Sequence, residues 1–265
     1  MTTTAGHELK KWRTARRMSQ LDLASSAGVS QRHLSFLETG RAKPSREMLL
    51  HLARELDVPL RDRNAWLRAA GFVEEYPEHG LDDVELHHVR QVIQRILDAH
   101  SPYPAFVIDR LWDLQLVNAP AAMLTTSLIA PEDAPRFGGN MVRLMLHPDG
   151  LRRHVTNWEA AASSLVSRFR RDVAHHPADP DLAALEEEVM AYDGVADLAD
   201  PRPSSVDDLV LSLDLMTDHG LMRFLTSIAT IGAAYDVTIE EQRIETLRPA
   251  DPETEALLRQ VLSVG

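Results

Sequence analysis

The apolar positions follow a helical period through the first 72 residues. Leu23 and Ala27 lie on one stripe, which ends at Gly28, a residue that tolerates the positive φ of a tight turn. A second stripe follows at Leu34 and Leu37. Together with the patterns before and after them, these stripes predict five helices, of which the second and third are joined by one sharp turn.

The period changes to that of strands after residue 104. Two short runs of strand-forming residues, 105–109 and 112–118, indicate a hairpin. Helical spacing returns over residues 140–192, and a loop at 193–205 follows. Further strands are predicted at residues 208–216, 221–231 and 237–247. The predicted fold class is α+β: an all-α five-helix domain, then a domain with an antiparallel sheet of about five strands and helices.

The net charge of −12 is distributed unevenly along the chain. Residues 1–72 contain 13 Lys and Arg and 7 Asp and Glu, a net charge of +6; the rest contains 15 and 33, a net charge of −18. A basic domain attracts phosphates, whereas an acidic one is repelled by them. We therefore expect the first domain alone to bind nucleic acid.

An acidic stretch at residues 73–85 contains Pro77 and Gly80 and predicts a hinge. The hinge would separate a domain of residues 1–72 from a domain of residues 86–265. The helix predicted at 84–99 has an apolar face, which suits either a lid over the second domain or a dimer helix.

The two helices at residues 20–39 have the spacing of a DNA-binding helix-turn-helix. Ser19 and Ser30 can cap them, and the small residue Ala24 lets them approach closely. In this motif the second helix enters the major groove, where Arg can bind guanine and Gln can bind adenine. The candidate base-reading residues are Ser30, Gln31, Arg32 and Ser35. His33 either contacts a phosphate or packs beside the neighbouring helix.

From Leu9 to about Phe72 the chain resembles DNA-binding domains of the phage-repressor/Cro (XRE) class. The most specific run is LKKWRTARRMSQLDLASSAGVSQRHLSFLETGRAKPS. The resemblance implies that Gln20 contacts a phosphate and that Arg41 and Lys43, in the loop after the recognition helix, clamp another. A solvated turn is the alternative for that loop.

Three further segments resemble the MmyB-like transcription regulators, which join an XRE domain to a PAS-like ligand-binding domain. They are PSREMLLHLARELDVPLRDRNAWLRAAGF, YPAFVIDRLWDLQLVNAPAAML and LMLHPDGLRRHVTNWEAAA, in that order. The resemblance covers nearly the whole chain. It implies a second domain of PAS-like fold whose ligand is lipid-like or unknown.

A PAS-like sheet covered by helices can enclose an apolar cavity, lined by inward-facing residues. The candidates are Val107, Trp112, Leu114, Leu116, Met123, Leu124, Leu144, Met145, Asn157, Trp158, Leu165 and Phe169. Methionine adapts to irregular shapes, which favours a long apolar ligand such as a fatty acid. Arg153, His154 and Asn157 are candidates for binding a carboxylate head, although solvation is the alternative for Arg153. No other cofactor is expected.

Several classes of chemistry have no support in the sequence. Cysteine is absent, which excludes disulfides and thiolate metal sites and suits a reducing cytoplasm. The twelve histidines form no HExxH pair, so no metal site is predicted, and GxSxG, Walker and GxGxxG motifs are absent. The chain has no signal-peptide-like or membrane-spanning stretch. An enzyme is therefore not expected.

The hypothesis is a cytoplasmic transcription regulator that binds a palindromic operator in double-stranded DNA as a homodimer. A small apolar ligand, a fatty acid or another lipid-like molecule, would control it by changing the distance or freedom of the two DNA-binding domains. Two alternatives stay open. One is a constitutive regulator whose second domain only dimerises, and the other is an enzyme with an appended DNA-binding domain.

Overall fold

The computed structural model describes residues 4–176, 179–198, 212–232 and 234–264. The chain divides into two compact units. The first contains residues 1–80 and 232–240, and the second contains residues 81–231 and 241–265. A short piece of chain from late in the sequence therefore belongs to the N-terminal unit.

The N-terminal part of the first unit contains the five predicted helices. They are α1 (Ala5–Ala15), α2 (Gln20–Ser26), α3 (Gln31–Glu38), α4 (Arg46–Glu55) and α5 (Leu60–Ala69). The side chain of Ser19 accepts a hydrogen bond from the backbone N–H of Asp22, and the Asp22 carboxylate accepts one from the N–H of Ser19. This reciprocal pair begins α2, and Ser30 and Ser45 cap α3 and α4 in the simpler way.

The helices of the first unit enclose one apolar core. Its most deeply buried side chains are Leu9, Leu23, Leu34, Leu37, Leu49, Leu52, Leu56, Trp66 and Leu67. Helix α1 approaches α3 closely, because a Cβ on Gly6 would lie 2.3 Å from the carbonyl oxygen of Leu37. The turn between α2 and α3 places Gly28 at φ +64°, a conformation that glycine adopts without strain. The paired helices are thus fixed by both core and turn.

The second unit combines a sheet with helices. Its elements are α6 (His87–Ala99), β1 (Ala105–Ile108), β2 (Leu114–Val117), α7 (Ala119–Leu128), α8 (Met141–Leu146), α9 (Trp158–His175), α10 (Pro180–Met190), β3 (Ser212–Thr217), β4 (Gly220–Thr230), β5 (Arg243–Pro249) and α12 (Pro252–Val264). The predicted loop at 193–205 beyond residue 198, and the predicted strand before Ser212, lie outside the described residues. The predicted α+β class is confirmed.

The five strands form one antiparallel sheet in the order β2-β1-β5-β4-β3. On β1, Phe106 lies opposite Glu245 of β5, and Ile108 lies opposite Arg243. Side chains alternate between the two faces of a strand, so Phe106 and Ile108 share one face and Val107 points to the other. Phe106 and Ile108 belong to the large core cluster of this unit, together with the buried residues of α9.

Helix α11 (Val237–Glu240) corrects the predicted strand 237–247, which begins only at Arg243. The carboxylate of Asp236 accepts hydrogen bonds from the N–H groups of Thr238 and Ile239, at 2.9 and 3.4 Å. This cap favours a helical turn over a strand, although the β-branched residues there suggest a strand. The backbone N–H of Val237 also donates to the carbonyl of Pro77, within the first unit.

The acidic stretch predicted as a hinge makes specific contacts within the first unit up to residue 80. The buried side chain of Asn64 bonds to the backbone of Glu75 and Tyr76. Ion pairs join Glu74 to Arg68, Glu75 to Arg46 and Glu78 to Arg61. Residues 74–78 therefore contact α4 and α5, and the predicted domain boundaries stay predictions.

Candidate functional site

The recognition helix α3 presents its polar residues on the surface and buries its leucines. Gln31 and Arg32 are exposed, whereas His33 and Ser35 are half-buried. The hydroxyl oxygen of Ser30 accepts a hydrogen bond from the backbone N–H of His33 at 3.1 Å, so this predicted DNA contact also serves as the helix cap. The structure thus brings the five predicted residues of this helix into one turn and a half.

Gln20, predicted to contact a phosphate, belongs to a partly buried polar network. Its Nε2 atom donates to Oε2 of Glu38 at 2.8 Å. Arg13 donates to both carboxylate oxygens of Glu38, at 2.6 and 3.0 Å, and to the carbonyl of Met18 at 2.7 Å. Burial raises the pKa of Glu38, but the bonds from Arg13 and Gln20 outweigh burial and leave the pKa below its ordinary value. The network joins α1, α2 and α3 through one carboxylate.

Phe36 contacts two of the predicted DNA-binding residues, and the sequence analysis missed these contacts. The guanidinium carbons of Arg32 and Arg41 lie 5.3 and 6.0 Å from the centroid of its ring. A cation near an aromatic face is attracted to it, and the ring thereby holds both side chains on one surface. The spacing of Arg32 and Phe36, four residues apart on a helix, is the signal that could have identified this contact.

Three predicted DNA contacts carry positive charges that no carboxylate neutralises. Arg32, Arg41 and Lys43 are exposed, and none has an acidic partner within the described part of the chain. Away from α3, some arginines pair with acidic residues, as Arg46 of α4 does with Glu75. Unpaired cations are available to bind phosphates or base edges. Arg32, Arg41 and Lys43 therefore place available positive charge beside the recognition helix.

The second unit contains a cavity of about 290 Å³. Its wall is mainly apolar, and it is formed by the sheet, α7, α8 and α9. Six of the candidate lining residues border it, namely Trp112, Leu114, Leu124, Leu144, Met145 and Leu165, together with Phe106, Val117, Leu128, Met141, Leu151, Ala161, Leu213, Leu215 and Leu247. Such a volume lies at the lower end of the range for ligand-binding pockets.

The structure places the other six predicted cavity residues outside the cavity wall. Val107 and Leu116 are opposite each other on β1 and β2, and they face away from Phe106. Phe169 packs edge-on behind Trp112, with ring centroids 6.0 Å apart. Val107 and Leu116 were misplaced because the sequence pattern does not show which face of a doubly buried strand borders a cavity.

Met123, Asn157 and Trp158 have other roles. The side chain of Asn157 bonds to the backbone of Ser212 and Asp214 and so ties the start of α9 to β3. Trp158 lies under the guanidinium of Arg152, 4.5 Å from its ring centroid, and Met123 is half-buried on α7. Arg153 is exposed, and neither it nor His154 lines the cavity. The predicted carboxylate-binding group is therefore not at the cavity.

Trp112 is held at the cavity wall in an unusual conformation. It is fully buried, its φ is +65°, and its Nε1 atom donates to the carboxylate of Asp172 at 2.9 Å. The guanidinium carbons of Arg168 and Arg243 lie 4.8 and 4.7 Å from its ring. A bulky residue with positive φ persists only where its surroundings fix it, and such positions occur often at ligand sites.

Arg168 and Glu245 are the only charged residues of the cavity wall in the described part of the chain, and they form an ion pair. Arg168 lies on α9 and Glu245 on β5, 77 residues apart in sequence. Sequence analysis missed both, since a lone Arg in an amphipathic helix usually lies in solvent. Nearby, burial raises the pKa of Asp109, whose backbone carbonyl accepts a bond from Arg243.

The described residues contain neither a candidate metal site nor a helix that could span a membrane. No group of three or more His, Cys, Asp or Glu side chains there could hold a metal ion. None of the helices described is long and apolar enough to span a membrane.

Comparisons with protein families agree with this geometry. A family model described as helix-turn-helix matches residues 9–62, which contain α2 and α3. The protein is thus a DNA-binding transcription regulator with a second, ligand-binding domain. The model of the MmyB-like transcription regulator ligand binding domain matches residues 89–261, more than half of the chain, and the chain therefore belongs to the MmyB-like transcription regulators. The resemblances to both families are confirmed. Comparison with individual characterised proteins gave no match.

Proposed function

We propose that this regulator binds a palindromic operator as a homodimer in the cytoplasm and that a fatty acid or similar lipid-like ligand in the cavity controls its binding. The observation that carries the proposal is the apolar cavity of about 290 Å³ in the ligand-binding domain. A constitutive regulator that uses this domain only to dimerise would need no such cavity, because a filled core is more stable.

The size and lining of the cavity support a single-chain lipid. An apolar cavity of about 150 Å³ in a protein core can bind benzene, so twice that volume admits a longer molecule. Each buried methylene contributes about 0.8 kcal/mol, and ten contribute about 8 kcal/mol before the cost of ordering the chain. Micromolar affinity corresponds to about 8 kcal/mol, so burial of such a chain supplies a gross contribution of this size, from which the cost of ordering is subtracted.

The DNA-binding surface supports operator recognition by a dimer. One recognition helix with Gln31, Arg32 and Ser35 reads only a few base pairs. Two helices placed about 34 Å apart, one turn of DNA, read two half-sites and reach the affinity of typical regulators. Arg41 and Lys43 would bind the backbone beside each half-site, since they are exposed and have no acidic partner among the residues described.

Ligand control requires that the cavity influence the DNA-binding unit. Residues 232–240 connect β4 to β5, two strands of the ligand-binding sheet, yet they belong to the first unit. Glu240 accepts a hydrogen bond from the backbone N–H of Leu60 at 2.7 Å and so caps α5, which has no side-chain cap of its own. Three residues after Glu240, β5 begins and continues to Glu245 in the cavity wall. We infer that this segment transmits the ligand state.

The proposal is tested by native mass spectrometry of the purified protein, followed by denaturing extraction and identification of any bound molecule. We expect one lipid-sized mass per protomer and a dimer as the main species. The matched control is Ala161→Phe, because Ala161 is a small residue of the cavity wall and a phenyl ring there fills the cavity. A wild-type dimer that carries no ligand and binds no added fatty acid would favour the constitutive alternative.

A further inference from the structure

The charged pair in the cavity wall is deeply enclosed. The side chains of Arg168 and Glu245 are 15% and 6% exposed, and the surrounding wall is mainly aliphatic. Moving charges out of water is costly unless they are paired, so this pair is maintained against that cost. In an apolar core that binds no polar ligand, aliphatic residues of similar volume would stabilise the fold at least as well as this ion pair.

The hydrogen bonds of Arg168 are incomplete. Its Nη2 atom donates to Glu245, but its Nε and Nη1 atoms have no acceptor within the described ranges of the chain. The neighbouring Arg243, in contrast, donates to the carboxylate of Asp172 and to the carbonyl of Asp109. Both guanidinium groups pack on Trp112, which fixes their position. Arg168, which lines the cavity, therefore has N–H donors available for a ligand.

We propose that Arg168 binds the carboxylate of an acyl ligand, and that Glu245 occupies the guanidinium when the ligand is absent. The proposal rests on the proposed function and specifies the polar end of its ligand. A guanidinium accommodates a carboxylate through two parallel N–H bonds, a geometry that a hydroxyl head cannot reproduce. Arg168 thereby determines specificity for an anionic head, and Glu245 weakens binding by competing for the same donors.

Two carboxylates and one guanidinium leave the occupied site with one excess negative charge. The strand neighbours of Glu245 are Phe106 on β1 and Ile228 on β4, neither of them charged. The other charged groups of this cluster, Arg243 on β5 and Asp172 on α9, pair with each other. Like charges in a medium of low dielectric constant repel each other, so Glu245 opposes an anionic ligand and loses its ion pair with Arg168 when that ligand binds.

The test measures binding of dodecanoate and of 1-dodecanol to the full-length protein by titration calorimetry between pH 6.5 and pH 8. The variants are Arg168→Gln, Glu245→Gln and, as a matched control, Arg171→Gln, which removes an exposed arginine of the same helix. Thermal unfolding of each variant shows whether it is folded.

We expect Arg168→Gln to weaken dodecanoate binding at least tenfold and to change dodecanol binding less than threefold. Glu245→Gln should strengthen dodecanoate binding about tenfold. Arg171→Gln should change nothing.

Equal loss of both probes in folded Arg168→Gln, or a Glu245→Gln variant that binds dodecanoate no better than wild type, would overturn the proposal while leaving the proposed function intact. If neither probe binds the wild-type protein, the proposed function and this inference fail together.

Discussion

The positive charges at the two candidate sites are arranged in opposite ways. Around the recognition helix, Arg32, Arg41 and Lys43 are exposed and have no acidic partner within the described residues. In the ligand-binding unit, Arg168 is enclosed and paired with Glu245. An exposed cation stays solvated until a phosphate arrives, whereas an enclosed one needs a counter-charge at all times. The candidate DNA-binding cations can therefore remain unpaired until DNA binds, whereas in our proposal Glu245 takes the place of the ligand carboxylate at Arg168.

The largest expected effect comes from removing the buried carboxylate of Glu38 in the DNA-binding unit. Glu38→Ala leaves Arg13 and Gln20 without their acceptor, which should cost about 3 kcal/mol of unfolding free energy. Urea unfolding measures this loss, with hydrogen exchange to assign it to the first unit. The exposed Glu55→Ala on α4 is the control and should change stability by less than about 0.5 kcal/mol. Equal effects of the two variants would contradict the importance of the network.

The next effect separates base reading from phosphate binding. Arg32→Ala should lose about 1 to 3 kcal/mol at one base pair of a selected operator. Lys43→Ala should weaken binding to all sequences alike and reduce the salt slope by about 1. Both are measured by fluorescence anisotropy on operator and scrambled DNA at several salt concentrations. If both variants show the same sequence dependence, the assignment of roles is wrong.

A smaller effect concerns residues 232–240, the segment that we propose transmits the ligand state to the DNA-binding unit. Glu240→Ala removes the cap of α5 and should cost about 1 kcal/mol. Hydrogen exchange of the α5 amides should increase, and the change in operator affinity on adding dodecanoate should shrink while dodecanoate affinity stays unchanged. The exposed Glu253→Ala on α12 is the control. A full ligand response in Glu240→Ala would show that the segment does not couple the units.

The smallest effect is a difference of sign in the pH dependence of stability. The pKa of Glu38 is lowered in the folded protein. Its contribution to the free energy of unfolding is therefore present above a pH of about 4.5 and is lost as the pH falls through the folded pKa. The pKa of Asp109 is raised by burial, so its contribution is present below about 3.8 and is lost as the pH rises through the folded pKa.

The measurement compares wild type with Glu38→Gln and Asp109→Asn by urea unfolding between pH 3 and pH 7. Destabilisation by Glu38→Gln should shrink on acidification, and destabilisation by Asp109→Asn should shrink as the pH rises. A common sign for the two variants would refute the contrast.

Prediction from the sequence succeeded where a function is carried by one continuous stretch. The helix-turn-helix, its caps at Ser19 and Ser30 and its inward leucines are all local features, and the structure contains each of them. Helix α11 was mistaken for a strand, because a single capping Asp236 decided against the β-branched residues after it.

An apolar cavity was predicted in this domain, and half of the residues proposed to line it border the cavity of the structure. Trp112, Leu144 and Met145 line it, whereas Val107 and Leu116 are buried on the other face of the sheet. An apolar residue in a strand that is covered on both faces predicts that its side chain is buried, but not on which face of the sheet the side chain lies. The contact between Phe36 and Arg41 could not be predicted either, because it depends on the path of the chain after α3 ends.

The sequence by itself determined the helical and strand periods, the basic and acidic halves, and the family, because periodicity, charge and motif are written in neighbouring residues. Only the tertiary structure decided which side chains surround the cavity, and that Arg168 meets Glu245 there. It also decided that residues 232–240 fold with the DNA-binding unit. The physical reason is that such partners are far apart in the chain, and only packing of the sheet against α9, or of α11 against α5, brings them together.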